Sequence, residues 1–260
     1  MKTGNTIACR IASYGRYEDR AWSHLPEIGI RHVEIPAPAP REQDAIRRRL
    51  SDHGLTATSV QARCDITQLK AVDVMQPQLE SCAALGARIC FVSIKAGGQP
   101  RSLVWKRLRA IGDAAGALNV TVAMETHPDL ITNGDVACQT MRAIGHPRIR
   151  VNFDTANIYF YNEKRTAVAE LKKVIDYVAA VHIKDTPGGY QTWDFPTLGT
   201  GVVDFPSIFQ RLNQQGFAGP FTIELEGTKG QERDEAGQLQ YVADSVAYLR
   251  HIGAFGQGAG

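Results

Sequence analysis

The 260-residue sequence lacks the cysteine patterns of disulfide-rich proteins and of zinc-thiolate proteins. Its five cysteines are scattered, and no two of them form a C-x-x-C pair. Disulfide scaffolds and structural zinc sites both need paired or closely spaced cysteines. The sequence therefore excludes both kinds of protein, and we expect a reducing, cytoplasmic location.

Long apolar runs and a strong charge of one sign are also missing. No segment reaches the roughly 18 consecutive apolar residues of a membrane-spanning helix, and no secretory signal pattern begins the chain. The net charge is only +2 and the hydrophobic fraction is 43%. Proteins whose main activity is nucleic-acid binding usually carry a large basic excess. We therefore expect a globular protein with neither a membrane nor a nucleic acid as its partner.

Two common functional motifs are absent as well. No Gly-x-Gly-x-x-Gly turn follows the first predicted strand, which disfavours an open dinucleotide-binding sheet. No serine lies in a Gly-x-Ser-x-Gly setting, so serine hydrolase chemistry has no support.

The sequence does contain a regular alternation of strand-like and helix-like segments. The predicted strands are Thr6 to Ala12, Arg31 to Ile35, Leu55 to Gln61, Arg88 to Ile94, Val120 to Glu125, Ile149 to Phe153, Ala179 to Ile183 and Pro220 to Leu225. A helix-like segment follows each strand. In the seventh unit, a long glycine-rich connection at 184–203 separates the strand from its helix. Eight βα units predict parallel strands closed into a single (β/α)8 TIM barrel. We expect this barrel to span residues 1–254, followed by a flexible tail at 255–260.

Four consecutive predicted strands end in side chains that bind metals, namely Glu125, Asp154, His182 and Glu224. The carboxyl ends of barrel strands surround the active site. Three neighbouring carboxylates repel one another, and a bound dication removes that cost. Oxygen ligands with one imidazole suit Mn²⁺, Co²⁺, Mg²⁺ or Fe²⁺, with Zn²⁺ as a further choice. The sequence predicts one divalent metal here, Mn²⁺ first.

Other polar or aromatic residues near the strand ends are candidates for substrate contact. They are His127, Asn157, Lys184, Asp185, Trp193, Tyr14, Glu34 and Lys95. His127 lies two residues beyond Glu125, so an extended strand would point both side chains the same way. Trp193 lies in the connection at 184–203, whose length is typical of a functional loop. Each candidate has an ordinary alternative role in a salt bridge, a helix cap or the core.

Five motifs together resemble the sugar isomerase and epimerase superfamily of xylose-isomerase-like TIM barrels. They lie at Met124 to His127, Asn152 to Asn157, His182 to Asp185, Leu198 to Phe205 and Thr222 to Glu226. This superfamily includes ketose 3-epimerases, hydroxypyruvate isomerases, inosose dehydratases and apurinic endonucleases.

The resemblance implies that the four strand-end residues bind the metal. It also implies that Glu125 and Glu224 flank a keto-sugar and exchange a proton next to a metal-polarised carbonyl. We therefore expect a metal-dependent isomerase or epimerase for a small carbohydrate, with homo-oligomers or a partner subunit as an option.

Two departures from the family pattern leave the reaction open. Many epimerases of this group have Asp-x-x-His after strand six, where this chain has Asp154 and Asn157. They also often have an arginine in the loop after the metal-binding histidine, where this chain has Lys184 and Asp185. The alternatives are a metal-dependent lyase or dehydratase acting on a 3-keto-sugar, keto-glycoside or inosose, and a non-catalytic sugar-binding barrel. The stretch Trp193 to Pro196 is aromatic where the endonucleases place extra metal ligands, so DNA repair is disfavoured.

Overall fold

Eight parallel strands form a closed barrel in the computed structural model, which describes residues 5–255. The strands are β1 (Thr6–Arg10), β2 (His32–Pro36), β3 (Thr56–Ala62), β4 (Ile89–Val92), β5 (Thr121–Glu125), β6 (Ile149–Asp154), β7 (Val178–Ile183) and β9 (Pro220–Ile223). Each pairs with the next along the chain, and β9 closes the barrel on β1, with Phe221 opposite Ile7. The predicted (β/α)8 barrel is confirmed. Residues 256–260 of the predicted tail lie outside the described residues.

Nine α-helices of the described chain surround or adjoin the barrel. They are α1 (Ala21–Glu27), α2 (Gln43–Asp52), α3 (Ala71–Ala84), α4 (Arg101–Ala117), α5 (Gly134–Ile144), α6 (Asn157–Tyr161), α7 (Ala167–Val174), α8 (Phe205–Gln215) and α9 (Glu235–His251). The side chains of Asn133 and Asp204 cap two of these helices, since they accept hydrogen bonds from the first turns of α5 and α8. Within residues 5–255, no helix has the length and hydropathy to cross a bilayer.

The core lies inside the barrel and between its outer face and the helices. All four residues of β4 are buried, as two-sided burial of a parallel strand requires. On α4, Leu108 and Ile111 are fully buried, and each side chain of this kind contributes about 1.5–3 kcal/mol to folding.

The first unit differs from the prediction. Strand β1 ends at Arg10, and a 3₁₀-helical segment at Ile11–Arg20 replaces the end of the predicted strand and the start of the predicted helix. The early strand end places the side chain of Arg10 at the mouth of the barrel.

A two-stranded antiparallel ribbon lies outside the barrel and was not predicted. It pairs β8 (Asp194–Phe195) in the long connection with β10 (Gly227–Thr228), which follows β9. The Thr228 hydroxyl donates to Asp194 Oδ1 at 2.6 Å, and the Lys229 amide donates to the Trp193 carbonyl at 3.0 Å. The ribbon thereby fixes Trp193 and Phe195 beside the barrel mouth.

Asp185 organises the connection between β7 and α8. Its carboxylate accepts hydrogen bonds from the backbone amides of Thr186, Gly199 and Gly201 at 2.9 Å and of Val203 at 3.2 Å. A Cβ atom at Gly201 would lie 2.3 Å from Asp185 Oδ1, so only glycine allows this approach. Asp185 was predicted to contact substrate; in the structure both of its carboxylate oxygens accept hydrogen bonds from the protein's own backbone.

Candidate metal centre

The four predicted ligands meet at the carboxyl ends of β5, β6, β7 and β9. One donor atom from each of Glu125, Asp154, His182 and Glu224 lies within 4.8 Å of the others, and all four residues are buried. Parallel strands that end at one rim bring these side chains together although 99 residues of sequence separate the first from the last.

His182 is held at the centre of the cluster by both ring nitrogens. Its Nδ1 lies 3.3 Å from Glu125 Oε1 and 3.2 Å from Glu224 Oε2, and its Nε2 lies 3.2 Å from Glu34 Oε1. Burial lowers the pKa of His182, but Glu224 and Glu34 outweigh it and raise the pKa well above its usual range. A metal ion would displace the Nδ1 proton, while Glu34 continues to fix the ring through Nε2.

Glu125 has a further histidine and a hydroxyl as neighbours. Its Oε2 lies 2.7 Å from His127 Nδ1 and accepts a hydrogen bond from the Ser93 hydroxyl. Burial and the charge of Glu224 raise the pKa of Glu125, but the close approach of His127 and His182 outweighs them and holds the pKa at about 2. The carboxylate is therefore ionised at neutral pH and can act as a base.

Glu224 lies between two cationic side chains. Arg10 donates to its Oε1, and Lys184 Nζ donates to its Oε2 at 2.9 Å. Burial raises the pKa of Glu224, but Lys184 and His182 outweigh it and hold the pKa well below its usual range. This second carboxylate is also ionised.

Asp154 is the deepest of the carboxylates. Its Oδ1 accepts from the backbone amides of Ala156 at 2.9 Å and Asn157 at 2.8 Å. Burial raises the pKa of Asp154 to about 7, with Lys184 opposing the shift. A neighbouring dication would keep this carboxylate ionised.

The cluster fits a divalent metal ion. Among the described residues, two of its buried atoms, His182 Nδ1 and Asp154 Oδ2, make no hydrogen bond. Within residues 5–255, five carboxylates around the centre face two permanent cations; the carboxylates are those of Glu34, Glu125, Asp154, Glu224 and Glu226, and the cations are Arg10 and Lys184. A dication would compensate the excess negative charge, and three oxygens with one imidazole are ligands that such ions accept.

A cavity of about 180 Å³ opens onto this cluster. Four predicted substrate-contact residues line it: His127, Asn157, Lys184 and Trp193. Of these, Asn157 uses its side-chain NH₂ to donate to the Thr126 carbonyl at 3.0 Å.

Three other predicted contacts are not on this cavity. Tyr14 is fully buried, and its hydroxyl lies 2.7 Å from His24 Nδ1, so it belongs to the core. Glu34 lies beneath the cluster against His182, and Lys95 is exposed. Tyr14 and Glu34 were predicted to contact substrate; in the structure both are enclosed by protein and neither lines the cavity.

Several lining residues were missed by the sequence analysis. Arg10, Gln61 and Ser93 are polar residues at or just after the ends of β1, β3 and β4, so the rule that identified Glu125 would also have found them. The aromatic residues Phe160, Tyr161 and Phe195 come from α6 and the ribbon. Neither element has a sequence signal, because both are too short for a periodic pattern.

A second, more open cavity of about 320 Å³ adjoins the first. The two share Arg10, Trp193, Glu224 and Glu226 as lining residues. Its outer side is formed by the segment around Gly15 and by glutamine and arginine side chains at 231–238. Trp193, which is 43% exposed, stands between the two spaces.

The geometry defines a (β/α)8 barrel with a buried cluster of possible metal ligands at the carboxyl ends of its strands. Residues 23–252 match the family described as xylose isomerase-like TIM barrel. The chain belongs to this family.

The relatives include sugar epimerases. L-ribulose-5-phosphate 3-epimerase UlaE of Salmonella paratyphi C (strain RKS4594) is 27% identical over 169 residues, which are 62% of this chain and 58% of the epimerase. The chain thus matches less than two thirds of that relative's length.

Solved structures share the whole fold at low identity. A xylose isomerase domain protein from Planctomyces limnophilus superposes with a TM-score of 0.73 at 18% identity, covering 96% of both chains. D-allulose 3-epimerase from Methylomonas sp. in complex with D-allulose gives a TM-score of 0.74 at 16% identity, covering 96% of this chain and 98% of that one. At these identities the likeness concerns the fold alone.

Proposed function

We propose that this chain is a divalent-metal-dependent sugar isomerase or epimerase. The observation that carries the proposal is the pair of ionised carboxylates, Glu125 and Glu224, on a ligand cluster that opens into a small polar cavity. A buried carboxylate beside a metal-bound carbonyl is the arrangement that removes a proton from the neighbouring carbon. Epimerase relatives are consistent with this reaction.

Each side chain of the centre has a proposed role. Glu125, Asp154, His182 and Glu224 would hold the ion, which polarises the substrate carbonyl when bound. Glu125 takes the proton, and its neighbour His127 is placed to pass a proton to or from the cavity. Glu224, held by Arg10 and Lys184, is the second carboxylate that exchanges a proton with the carbon.

The proposed substrate is a small keto-sugar. The cavity combines polar groups that can bind hydroxyls, such as Gln61 and His127, with the aromatic side chains of Phe160 and Trp193. Sugars are recognised by this mixture of hydrogen-bonding groups and apolar faces. The name of the curated relative, a ribulose-5-phosphate epimerase, agrees with a ketose as the substrate class.

Solvent exchange tests the reaction directly. The metal-free protein is loaded with Mn²⁺ and incubated with a panel of keto-sugars in deuterated water, and deuterium at carbon is followed by NMR. We expect exchange at one carbon next to the carbonyl, with at least about a 100-fold loss in Glu125→Gln and in Glu224→Gln, since a positioned base contributes about 10²–10⁴-fold. Full exchange in both variants would refute the mechanism. Tight sugar binding without exchange would instead favour a non-catalytic sugar-binding barrel.

A metal-dependent lyase is the second candidate, and the adjoining cavity favours it. The 320 Å³ cavity beyond Trp193 shares lining residues with the smaller cavity at the cluster, and it has room for a leaving group. The side-chain NH₂ of Asn157, at the position where many relatives have a titrating histidine, is bonded to Thr126. A 3-keto-glycoside with a chromogenic aglycone separates the two reactions, because only a lyase releases the aglycone.

A further inference from the structure

Lys184 is a fully buried cation in contact with two of the four ligands. The residue is 1% exposed, and its Nζ lies 2.9 Å from Asp154 Oδ2 and 2.9 Å from Glu224 Oε2. The third neighbour is Glu226 Oε2 at 2.8 Å, which does not belong to the ligand cluster. The ring of Phe195 covers the ammonium at 4.7 Å.

These contacts surround the ammonium with carboxylate oxygens: it donates hydrogen bonds to Glu224 and Glu226, and it forms an ion pair with Asp154. A lysine ammonium has three N–H donors and no acceptor, and three carboxylate oxygens surround this one. A substrate hydroxyl would have to displace a buried ion pair in order to bind. The sequence-based expectation that Lys184 binds substrate therefore does not account for its position.

We propose that Lys184 is a positioning residue of the metal centre that lowers its affinity for the ion. Its ammonium keeps Asp154 and Glu224 together in the metal-free protein, and it opposes the dication when that ion arrives at the same two carboxylates. The inference rests on the proposed metal dependence. It predicts a centre that folds without metal and binds its ion exchangeably.

The Lys184 ammonium and the proposed metal ion would contact the same two carboxylates, those of Asp154 and Glu224. Without a counter-charge, three buried carboxylates repel one another, and either an ammonium or a metal ion relieves the repulsion. When both are present, the two cations repel across a few ångströms in a poorly screened interior. The ammonium and the metal ion thus compete for the same carboxylates, and each weakens the binding of the other by the same factor. Removal of the ammonium therefore strengthens metal binding.

The test compares the wild type with Lys184→Met, which keeps an unbranched side chain, shorter by the terminal atom, and removes its charge. Mn²⁺ is titrated into both metal-free proteins by calorimetry, and thermal unfolding is measured with and without Mn²⁺. We expect Mn²⁺ to bind at least about tenfold more tightly to the variant, within the usual range of such couplings. We also expect a lower Tm for the metal-free variant and a larger increase of its Tm on metal addition.

Lys229→Met is the matched control, because Lys229 is an exposed lysine beside the ribbon with no carboxylate partner among the described ion pairs. Its Mn²⁺ affinity should equal that of the wild type. Equal affinities for Lys184→Met and the wild type would overturn the inference and leave the proposed function intact. A wild type that binds no divalent ion would overturn the proposed function itself.

The test also covers a variant that fails to fold without metal. Lys184→Met is then refolded with and without saturating Mn²⁺ and followed by circular dichroism. Recovery of the wild-type spectrum only with Mn²⁺ supports the inference, because the ion replaces the missing cation. Failure to refold in Mn²⁺ would show that Lys184 supports the fold by another route and would overturn it.

Discussion

Glu34 shows how a residue without direct access to the cavity can control the metal centre. Its carboxylate lies 3.2 Å from His182 Nε2 and accepts a hydrogen bond from Ser59 at 2.7 Å, so it fixes the direction in which His182 Nδ1 points. We expect Glu34→Gln to weaken Mn²⁺ binding by about 10–100-fold, the usual effect of losing a carboxylate behind a ligating histidine. Competition with a fluorescent metal indicator measures the affinity.

Glu80→Gln is the control for this substitution, since Glu80 is exposed on α3 and belongs neither to the cluster nor to the cavity lining. Unchanged metal affinity in Glu34→Gln would show that the barrel packing alone, including Phe91 at 4.5 Å from the His182 ring, holds the imidazole.

Asp185 should contribute strongly to stability, because its buried carboxylate accepts four backbone hydrogen bonds. Asparagine has one acceptor oxygen, and its NH₂ group would face amide donors. We expect Asp185→Asn to lower the free energy of unfolding by about 3 kcal/mol, as the loss of charge-assisted hydrogen bonds and an unsatisfied buried group would require. Urea unfolding measures the change. The exposed Asp52 provides Asp52→Asn as a control, expected within about 0.5 kcal/mol of the wild type.

The C-terminal end of α8 has a left-handed glycine whose replacement should lower stability. Helix α8 ends at Gly216, which has a φ of 79°, and a Cβ atom at this position would meet nothing within 4 Å beyond its chain neighbours. Gly216→Ala should therefore cost only the backbone strain of a left-handed residue, about 1 kcal/mol, without any clash. The change is read as a lower denaturation midpoint at an unchanged m-value.

Gly116 is the matched position for this test. It lies in α4 with ordinary helical geometry, and a methyl group there would make a normal contact of 3.5 Å with Arg148. Gly116→Ala should stabilise the protein by up to about 1 kcal/mol. The two identical substitutions are thus expected to change stability in opposite directions, and destabilisation by both would indicate a packing effect that the structure does not show.

The elements that the sequence predicted are those with enough residues to carry a pattern. The eight barrel strands and the long helices have buried faces that impose apolar residues at regular positions, as in β4 and α4. The ribbon of β8 and β10 has two residues in each strand and joins segments more than 30 residues apart, so no local pattern encodes it. Phe195, the aromatic residue that the ribbon contributes to the cavity, was accordingly missed.

At the scale of the whole molecule, the barrel topology explains why the clustering of the four strand-end residues was predictable and the surroundings of the other candidates were less so. Strand order places Glu125, Asp154, His182 and Glu224 on adjacent strands, so knowing the fold is enough to bring them together. Whether Lys184 faces a substrate or three carboxylates depends on side-chain packing across β6, β7 and β9. Sequence position alone does not determine that packing.

The candidate metal centre joins four of the eight strands, so an ion bound there should stabilise the whole barrel. An ion that binds only the folded state at about 100 times its Kd adds about 2.7 kcal/mol to the free energy of unfolding. For a chain of this size, 1 kcal/mol corresponds to about 2–4 °C in Tm, so we expect Mn²⁺ to raise the Tm by about 5–10 °C and a chelator to reverse the shift. Asp154→Asn keeps the volume of a ligand that is fully buried and should abolish the increase. If Asp154→Asn shows the wild-type increase, the ion binds elsewhere and the assignment of the centre is wrong.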